Sequence, residues 1–238
     1  MSTPKGIFIT GTDTDVGKTV AAAAVLVSIR NLGIDAVPMK PVQTGSIRRG
    51  DNLESPDLEF CLRMAGLHTD GEELRQMAPY LFEPACSPHL AAAKEGLEIS
   101  FDRIAEAFAG LLERHEYVVA EGAGGLMVPV AGDRTMLDLM VLLGLPVILV
   151  ARPGLGTINH SLLSLRALQR AGLKVLGVVF CETRAAPWGE IEEDNRKTIE
   201  RIGKTRILGR IPYIAGIGEG DVSIAEFHRI ATTCLNLQ

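Results

Sequence analysis

The stretch that decides the fold is FITGTDTDVGKTVAAAAVLV, residues 8–27, in which a short apolar run is followed by a turn and an alanine-rich run. The first run, Ile7–Thr10, has the length and composition of a buried strand. The second, Ala21–Leu32, predicts a helix, and Gly33 directly after it suits a helix end. The stretch therefore predicts a strand, a turn and a helix in succession.

The turn carries the residues of a phosphate-binding loop. Gly17, Lys18 and Thr19 stand where the helix begins. Backbone N–H groups at such a helix start bind phosphate, a lysine adds positive charge and a threonine hydroxyl can ligate magnesium. The strict pattern GxxxxGK[ST] would place a glycine at Thr12, whereas the glycine is Gly11, one residue earlier. The strand–turn–helix context favours phosphate binding over a chance Gly-Lys-Thr in an ordinary turn.

The rest of the chain repeats the alternation of strand and helix. Such a rhythm is typical of βαβ units. Hydrophobic residues make up 47% of the chain but aromatic residues only 5%, which suits helices packed closely on both faces of a sheet. The sequence thus predicts an α/β fold with a mainly parallel central sheet. Its further strands are expected at Ala36–Met39, Tyr117–Ala120, Val147–Ala151 and Val175–Phe180, with helices at Phe101–Glu113, capped by Ser100, and at Ser161–Ala171.

Length and charge narrow the function. The 238 residues suit a single domain, residues 1–238. A net charge of −5 without a basic cluster argues against a nucleic-acid partner. The longest apolar run, residues 140–151, is too short to cross a membrane. The four cysteines are widely spaced, without a CxxC pair, so we expect a protein of the reducing cytoplasm.

Two polar side chains follow the second predicted strand, in MKPVQTG, residues 39–45. Lys40 and Thr44 would lie at the carboxyl end of a parallel strand, where ligands bind in open α/β sheets. A lone lysine is more often a solvated surface charge. Beside a phosphate loop, however, a second cation could stabilise a phosphoryl group in transfer. The loop that follows, residues 45–56, is predicted to be exposed.

An acidic residue ends another predicted strand, in VVAEGAGG, residues 118–125. A buried Glu121 carboxylate would need a partner or a metal ion. With Asp57 and Thr19 it could supply the oxygen ligands of magnesium. Two alternatives stay open: Glu121 as a capping or loop acid, and Asp57 as a first-turn acid favoured by the helix dipole.

A glycine loop enters a later helix at GLGTINHSLL, residues 154–163. Its free N–H groups near Thr157–Asn159 could bind a carboxylate. The alternative is an ordinary loop with Asn159 as the N-cap. His89 and His160 lack metal partners at a suggestive spacing and are expected to be structural or capping residues.

These motifs, in this order, resemble the dethiobiotin synthetase family. The resemblance extends from about Ile7 to Tyr213, and its phosphate loop has the unusual spacing of this chain. The motifs that carry it are TGTDTDVGKT, KPVQTG, SPH, EGAGG, LPVILV and GTINH, residues 10–19, 40–45, 87–89, 121–125, 145–150 and 156–160.

The resemblance implies a homodimeric enzyme with a three-layer P-loop NTPase-like fold. Such an enzyme uses ATP and magnesium to close a cyclic urea from 7,8-diaminononanoate and CO2. One amine captures CO2 as a carbamate, ATP phosphorylates the carbamate, and the second amine attacks the mixed anhydride and expels phosphate.

The resemblance also implies roles for individual residues. Lys18 would hold the β- and γ-phosphates, Lys40 would bind the carbamate and the transferring phosphate, and Thr44 and Asp15 would face the diamine. The helix entry at Gly156, Thr157 and Asn159 would receive the distant substrate carboxylate across a dimer interface, in place of the N-cap interpretation. The nucleotide would be bound by Asp15, Val16, Gly17, Lys18, Thr19 and Val20, and magnesium by Thr19, Asp57 and Glu121.

Base recognition departs from the family pattern. Well-known members have an Asn-Asp pair where this chain has Cys181 and Glu182, and cysteine cannot make the paired contacts of an amide. Either base selectivity is relaxed, or adenine is read by backbone groups near Pro212, Tyr213 and Ile214.

Two rival functions are less well matched. A switch ATPase similar to ParA and MinD would carry a second lysine early in the loop, where this chain has Thr12–Asp15. An amide-forming ligase of the cobyrinate type would need an additional glutaminase domain.

Overall fold

The computed structural model describes residues 5–217 and 222–236, which form an α/β fold. Its strands are β1 (Gly6–Gly11), β2 (Ala36–Met39), β3 (Val42–Thr44), β4 (Ile47–Arg49), β5 (Asn52–Glu54), β6 (Tyr80–Phe82), β7 (Tyr117–Gly125), β8 (Pro129–Ala131), β9 (Arg134–Thr135), β10 (Val147–Ala151), β11 (Val175–Cys181) and β12 (Ile207–Ile211). Its helices are α1 (Lys18–Arg30), α2 (Pro56–Ala65), α3 (Gly71–Met77), α4 (Pro88–Lys94), α5 (Phe101–Arg114), α6 (Met136–Leu143), α7 (Thr157–Arg170), α8 (Glu190–Gly203) and α9 (Ile224–Cys234).

The central sheet has six strands in the order β12-β11-β10-β1-β7-β2, and its strand pairs are parallel. After β1 the chain passes through α1 to β2 at the edge, and β7 later fills the place between them. The chain then builds β10, β11 and β12 on the other side of β1. The strand order reverses at β1, and such reversals create the crevice in which α/β proteins bind ligands.

Helices cover both faces of this sheet, because the side chains of β1 alternate between two cores. Ile7 and Ile9 pack with the buried alanines and valines of α1 and with α9. Phe8 points the other way, into a core that includes Ile104 of α5 and Leu139 of α6. The predicted three-layer α/β fold with a mainly parallel sheet is therefore confirmed.

Two local features compare directly with the sequence predictions. Ser100 caps α5 as predicted, since its Oγ accepts a hydrogen bond from the Arg103 N–H at 3.3 Å. The segment 45–56 is more regular than the predicted loop, because β4 and β5 pair as an antiparallel hairpin. Its exposed strands carry few apolar residues, so no alternation marks them in the sequence.

The edge of the sheet where the strands begin is held by an ion-pair cluster. The His115 imidazole contacts the Asp35 carboxylate through Nδ1 at 2.8 Å and the Glu73 carboxylate through Nε2 at 2.6 Å. Burial by itself lowers the pKa of His115, but these hydrogen bonds and charges outweigh it and raise the pKa. His115 thus ties α3 to the start of β2. Among the described residues, no helix is both long and apolar enough to cross a membrane.

Candidate active site

A cleft of about 840 Å³ lies over the carboxyl ends of β1, β2, β7, β11 and β12. Its walls come from the phosphate loop, the segment after β2, the start of α2 and the segments after β11 and β12. The predicted site residues that line it are Asp15, Gly17, Lys18, Thr19, Val20, Lys40, Thr44, Asp57, Glu121, Cys181, Glu182, Pro212, Tyr213 and Ile214.

The phosphate loop is shaped by two residues in left-handed backbone conformations. Gly17, at the N-cap of α1, has a φ of +91°, and Asp15 has a φ of +55°. A Cβ atom at Gly17 would lie 2.3 Å from the Sγ of Cys181, so only glycine fits there. Lys18 reaches back across the loop and its Nζ donates to the Asp13 carbonyl at 2.8 Å. The side chain of Val16 is fully buried in the core, away from the cleft.

Beside the loop, one ammonium group bridges two carboxylates. Lys40 Nζ lies 2.6 Å from Asp57 Oδ2 and 2.6 Å from Glu121 Oε1. The hydroxyl of Thr19 donates to the same Glu121 oxygen at 3.0 Å. Lys40 and Glu121 are only 4% and 3% exposed. Four residues singled out separately in the sequence therefore form one cluster around the buried Lys40 and Glu121, with Thr19 and Asp57 half-buried.

The charges of this cluster depend on one another. Burial by itself lowers the pKa of Lys40, but the charges of Glu121 and Asp57 outweigh it and raise the pKa. Burial would raise the pKa of Asp57, but Lys40 and hydrogen bonds from Thr19 and Gln43 lower it. Burial and the nearby Lys40 lower the pKa of Lys18. The cluster thus holds Lys40 as an ammonium and Asp57 as a carboxylate.

The oxygen atoms of this cluster match the ligands that magnesium takes. The Asp57 and Glu121 carboxylates meet at a cation, the Lys40 ammonium, and the Thr19 hydroxyl contacts the same Glu121 oxygen. Within the described ranges no three or more His, Cys, Asp or Glu side chains are grouped to hold a metal ion by themselves. Magnesium commonly uses only one or two carboxylates and completes its shell with phosphates and water. The residues present therefore fit a magnesium ion shared with a nucleotide.

Gln43 is a site residue that the sequence analysis missed. It lies on β3 between Lys40 and Thr44, and its side-chain amide helps to lower the pKa of Asp57. Ser55, the N-cap of α2, donates to Gln43 Oε1 at 2.6 Å. The pair fixes the start of α2, where Asp57 is both a first-turn acid and a cleft residue. The position of Gln43 inside KPVQTG was the available signal.

The far end of the cleft is built from the segments after β11 and β12. Glu182 follows β11, and its carboxylate accepts hydrogen bonds from Arg210 Nε at 2.5 Å and from the Tyr213 N–H at 3.3 Å. The guanidinium of Arg210 lies 4.5 Å from the centre of the Trp188 ring. Arg210 and Trp188 were not singled out in the sequence, because both join the site only through packing.

The other three predicted substrate residues lie outside this cleft. Gly156 is the N-cap of α7, with a φ of +90°, so Asn159 is not the capping residue. Thr157 is buried, with its hydroxyl 3.4 Å from that of Ser161. Gly156 and Asn159 line a separate groove of about 490 Å³, together with Leu155, Leu163 and neighbouring residues.

Comparisons with known proteins identify the family of this chain. A family model described as an AAA domain matches residues 5–220. The ATP-dependent dethiobiotin synthetase BioD of Anaeromyxobacter dehalogenans (strain 2CP-C) is 45% identical over 75% of this chain and 77% of its own length. The corresponding protein of Anoxybacillus flavithermus (strain DSM 21510 / WK1) is 36% identical, over 92% of this chain and 96% of its own.

Solved structures share the fold at much lower identity. The apo McdA of Cyanthece aligns with a TM-score of 0.56 at 11% identity, over 93% of this chain and 92% of that one. The MinC:MinD cell division protein complex of Aquifex aeolicus aligns with a TM-score of 0.55 at 14% identity, over 95% of this chain and 86% of that one. At these identities the likeness shows a common fold and carries nothing about partner binding. The relatives at 36–45% identity are far more specific, and the chain belongs to the dethiobiotin synthetase family.

Proposed function

We propose that this protein is an ATP-dependent cyclo-ligase that forms the ureido ring of dethiobiotin from 7,8-diaminononanoate and CO2, releasing ADP and phosphate. The observation that carries the proposal is the buried contact of Lys40 with Asp57 and Glu121, directly beside Lys18 and Thr19. A generic phosphate loop needs only the lysine and the threonine, here Lys18 and Thr19. The additional cation suits an enzyme that moves a phosphoryl group onto an acid.

The triphosphate is proposed to bind along the start of α1. The N–H groups of the loop and of the first turn of α1 point toward an anion placed there, and Lys18 adds a charge for the β- and γ-phosphates. Magnesium, when bound by Thr19, Asp57 and Glu121, would neutralise phosphate charge. Val16 would contribute through its backbone, since its side chain is in the core.

Lys40 is proposed to act on the reacting groups. One amine of the diamine adds to CO2 and gives a carbamate with loss of a proton. A carbamate oxygen then attacks the γ-phosphorus and ADP departs. The Lys40 ammonium, held in its charged state by two carboxylates, stabilises the negative charge of the carbamate and of the transferring group.

Ring closure follows when the second amine attacks the carbonyl carbon of the mixed anhydride and phosphate leaves. Thr44 lines the same cleft as Lys40 and would contact the diamine. Asp15 is exposed on the loop, where its carboxylate would attract a cationic amine. These contacts hold the amines near the reacting carbon, which makes the closure an intramolecular step.

The protein is proposed to be a homodimer in which each protomer binds the distant carboxylate of the substrate held in its partner's cleft. Gly156, Thr157 and Asn159 lie outside the cleft, and the groove beside them exposes Leu155 and Leu163. Paired grooves of this kind would bury apolar surface and bring the α7 N-terminus of one protomer to the cleft of its partner.

The four cysteines are unpaired, which suits our expectation of a cytoplasmic enzyme.

The alternative, a switch ATPase similar to ParA and MinD, has weaker support. It rests on structures that share the fold at 14% identity or less. Its second loop lysine is absent from Thr12–Asp15.

The proposal is tested with the purified protein, diaminononanoate, bicarbonate and MgATP. Dethiobiotin should form with one ADP for each ring closed, and omission of the diamine should suppress ATP consumption. Steady ATP hydrolysis that ignores the diamine would contradict the proposal and favour the switch ATPase. Sedimentation of the same sample reports the dimer.

A further inference from the structure

The family resemblance implies that the nucleotide base lies near Glu182 and Pro212–Ile214, and the layout of the cleft agrees with that placement. The phosphates belong beside Lys18 and Thr19, and the diamine belongs beside Lys40 and Thr44 at one end. The opposite end, which Glu182 and the segment after β12 enclose, is left for the base. This step rests on the proposed function.

Cys181 offers the base little at that end. It is 2% exposed, and its Sγ packs so closely on Gly17 that a Cβ there would come within 2.3 Å. Burial raises the pKa of the thiol to about 12, so the sulfur stays protonated. A thiol is a weak donor and acceptor, so Cys181 cannot distinguish a purine from a pyrimidine by paired hydrogen bonds.

Glu182, by contrast, is a fixed acceptor. Its side chain is 7% exposed, and each carboxylate oxygen already takes one hydrogen bond, from Arg210 and from the Tyr213 N–H. Arg210 is itself held against the Trp188 ring. Each oxygen keeps a free lone pair, so the carboxylate can accept from a ligand but cannot donate to one.

We propose that Glu182 selects the nucleotide by the exocyclic amino group of its base. An amino group donates to the carboxylate, whereas a carbonyl oxygen at the same position would face it with lone pairs. The neighbouring side chain, Cys181, has no amide group with which to read the ring itself. The enzyme therefore accepts ATP and CTP alike and rejects their oxo counterparts, ITP and UTP.

The experiment uses calorimetric titration of the whole protein with the four nucleotides and Mg²⁺, without diamine. ATP and CTP should bind within about tenfold of each other, and ITP and UTP about 10- to 100-fold more weakly than their amino partners, as for loss of a hydrogen bond to a charged group. Fluorescence of Trp188, the only tryptophan in the chain, gives a second reading of binding. ITP that binds as tightly as ATP would overturn the inference.

The variant Glu182→Gln tests whether Glu182 causes the preference for bases with an amino group. In Glu182→Gln the amide can donate to a carbonyl as well as accept from an amine. The affinities for ATP and ITP should therefore come within about threefold of each other, and so should those for CTP and UTP. Glu200→Gln is the matched control, since Glu200 also pairs with an arginine, Arg196, but on the outer surface of α8, and it should keep the wild-type ratios. Unchanged ratios in Glu182→Gln would also overturn the inference.

The outcome is separable from that of the proposed function. Nucleotide binding with the stated ratios but without dethiobiotin formation would contradict the function and leave the base selection standing. Dethiobiotin formation with equal use of ATP and ITP would support the proposed function and contradict the selection of the base by Glu182. Absence of binding by every nucleotide would contradict both.

Discussion

Replacement of Lys40 by methionine tests the buried charge cluster, because it keeps most of the side-chain volume and removes the charge. At an effective dielectric constant of about 20, each 2.6 Å contact corresponds to about 6 kcal/mol of attraction. Desolvation of the buried ammonium offsets much of this. Because Asp57 and Glu121 would be left facing each other, Lys40→Met should lower the free energy of unfolding by about 3–5 kcal/mol. Turnover should fall at least about 10²–10³-fold, as for loss of transition-state charge stabilisation.

Urea unfolding followed by circular dichroism measures the stability, and rapid-quench detection of ADP with diamine and bicarbonate measures the chemistry. The double variant Lys40→Met/Glu121→Gln should recover stability without activity, since it removes a carboxylate that lost its partner. Lys197→Met is the control, because Lys197 pairs with Glu193 on the exposed surface of α8 and its loss should leave the unfolding midpoint nearly unchanged. A folded Lys40→Met enzyme with turnover within about tenfold of wild type would refute the role of Lys40.

Three further changes probe other parts of the molecule. The pKa of His115 is raised in the folded protein, so its protonation stabilises the fold below about pH 6.5, and this stabilisation is lost as pH rises through the folded pKa. His115→Gln should therefore lower the free energy of unfolding near about pH 6 and change it little near about pH 9, which urea titrations at the two pH values would show. Gly17→Ala should cost about 1–3 kcal/mol through its +91° φ and the contact with Cys181, and thermal melts should show no stabilisation by MgATP. Leu163→Glu, at a side chain 63% exposed beside the proposed dimer groove, should give a folded monomer in sedimentation with little synthesis, and an unchanged dimer would contradict our use of that groove.

Much of the site could be predicted from local signals. The strand–turn–helix at residues 8–27 predicted the phosphate loop, and Lys40 was predicted to follow an apolar strand. Glu121 was predicted to end one, but β7 continues past it to Gly125. Because parallel strands bring their carboxyl ends to one edge, residues on different strands were expected to meet there. The contact of Thr19 with Glu121, 102 residues apart, agrees with that expectation.

Tertiary packing decided what no local pattern encodes. It placed Lys40 between Asp57 and Glu121, and it brought Arg210 to Glu182, 28 residues away, so that a carboxylate rather than an amide faces the base end of the cleft. It also turned Cys181 against Gly17. Such contacts depend on the exact distance and direction of side chains from separate elements, which strand and helix periodicity does not specify. The sequence by itself thus determined the fold class and the phosphate chemistry, whereas the partners of each charge, and with them the proposed selection of the base, were set by the folded structure.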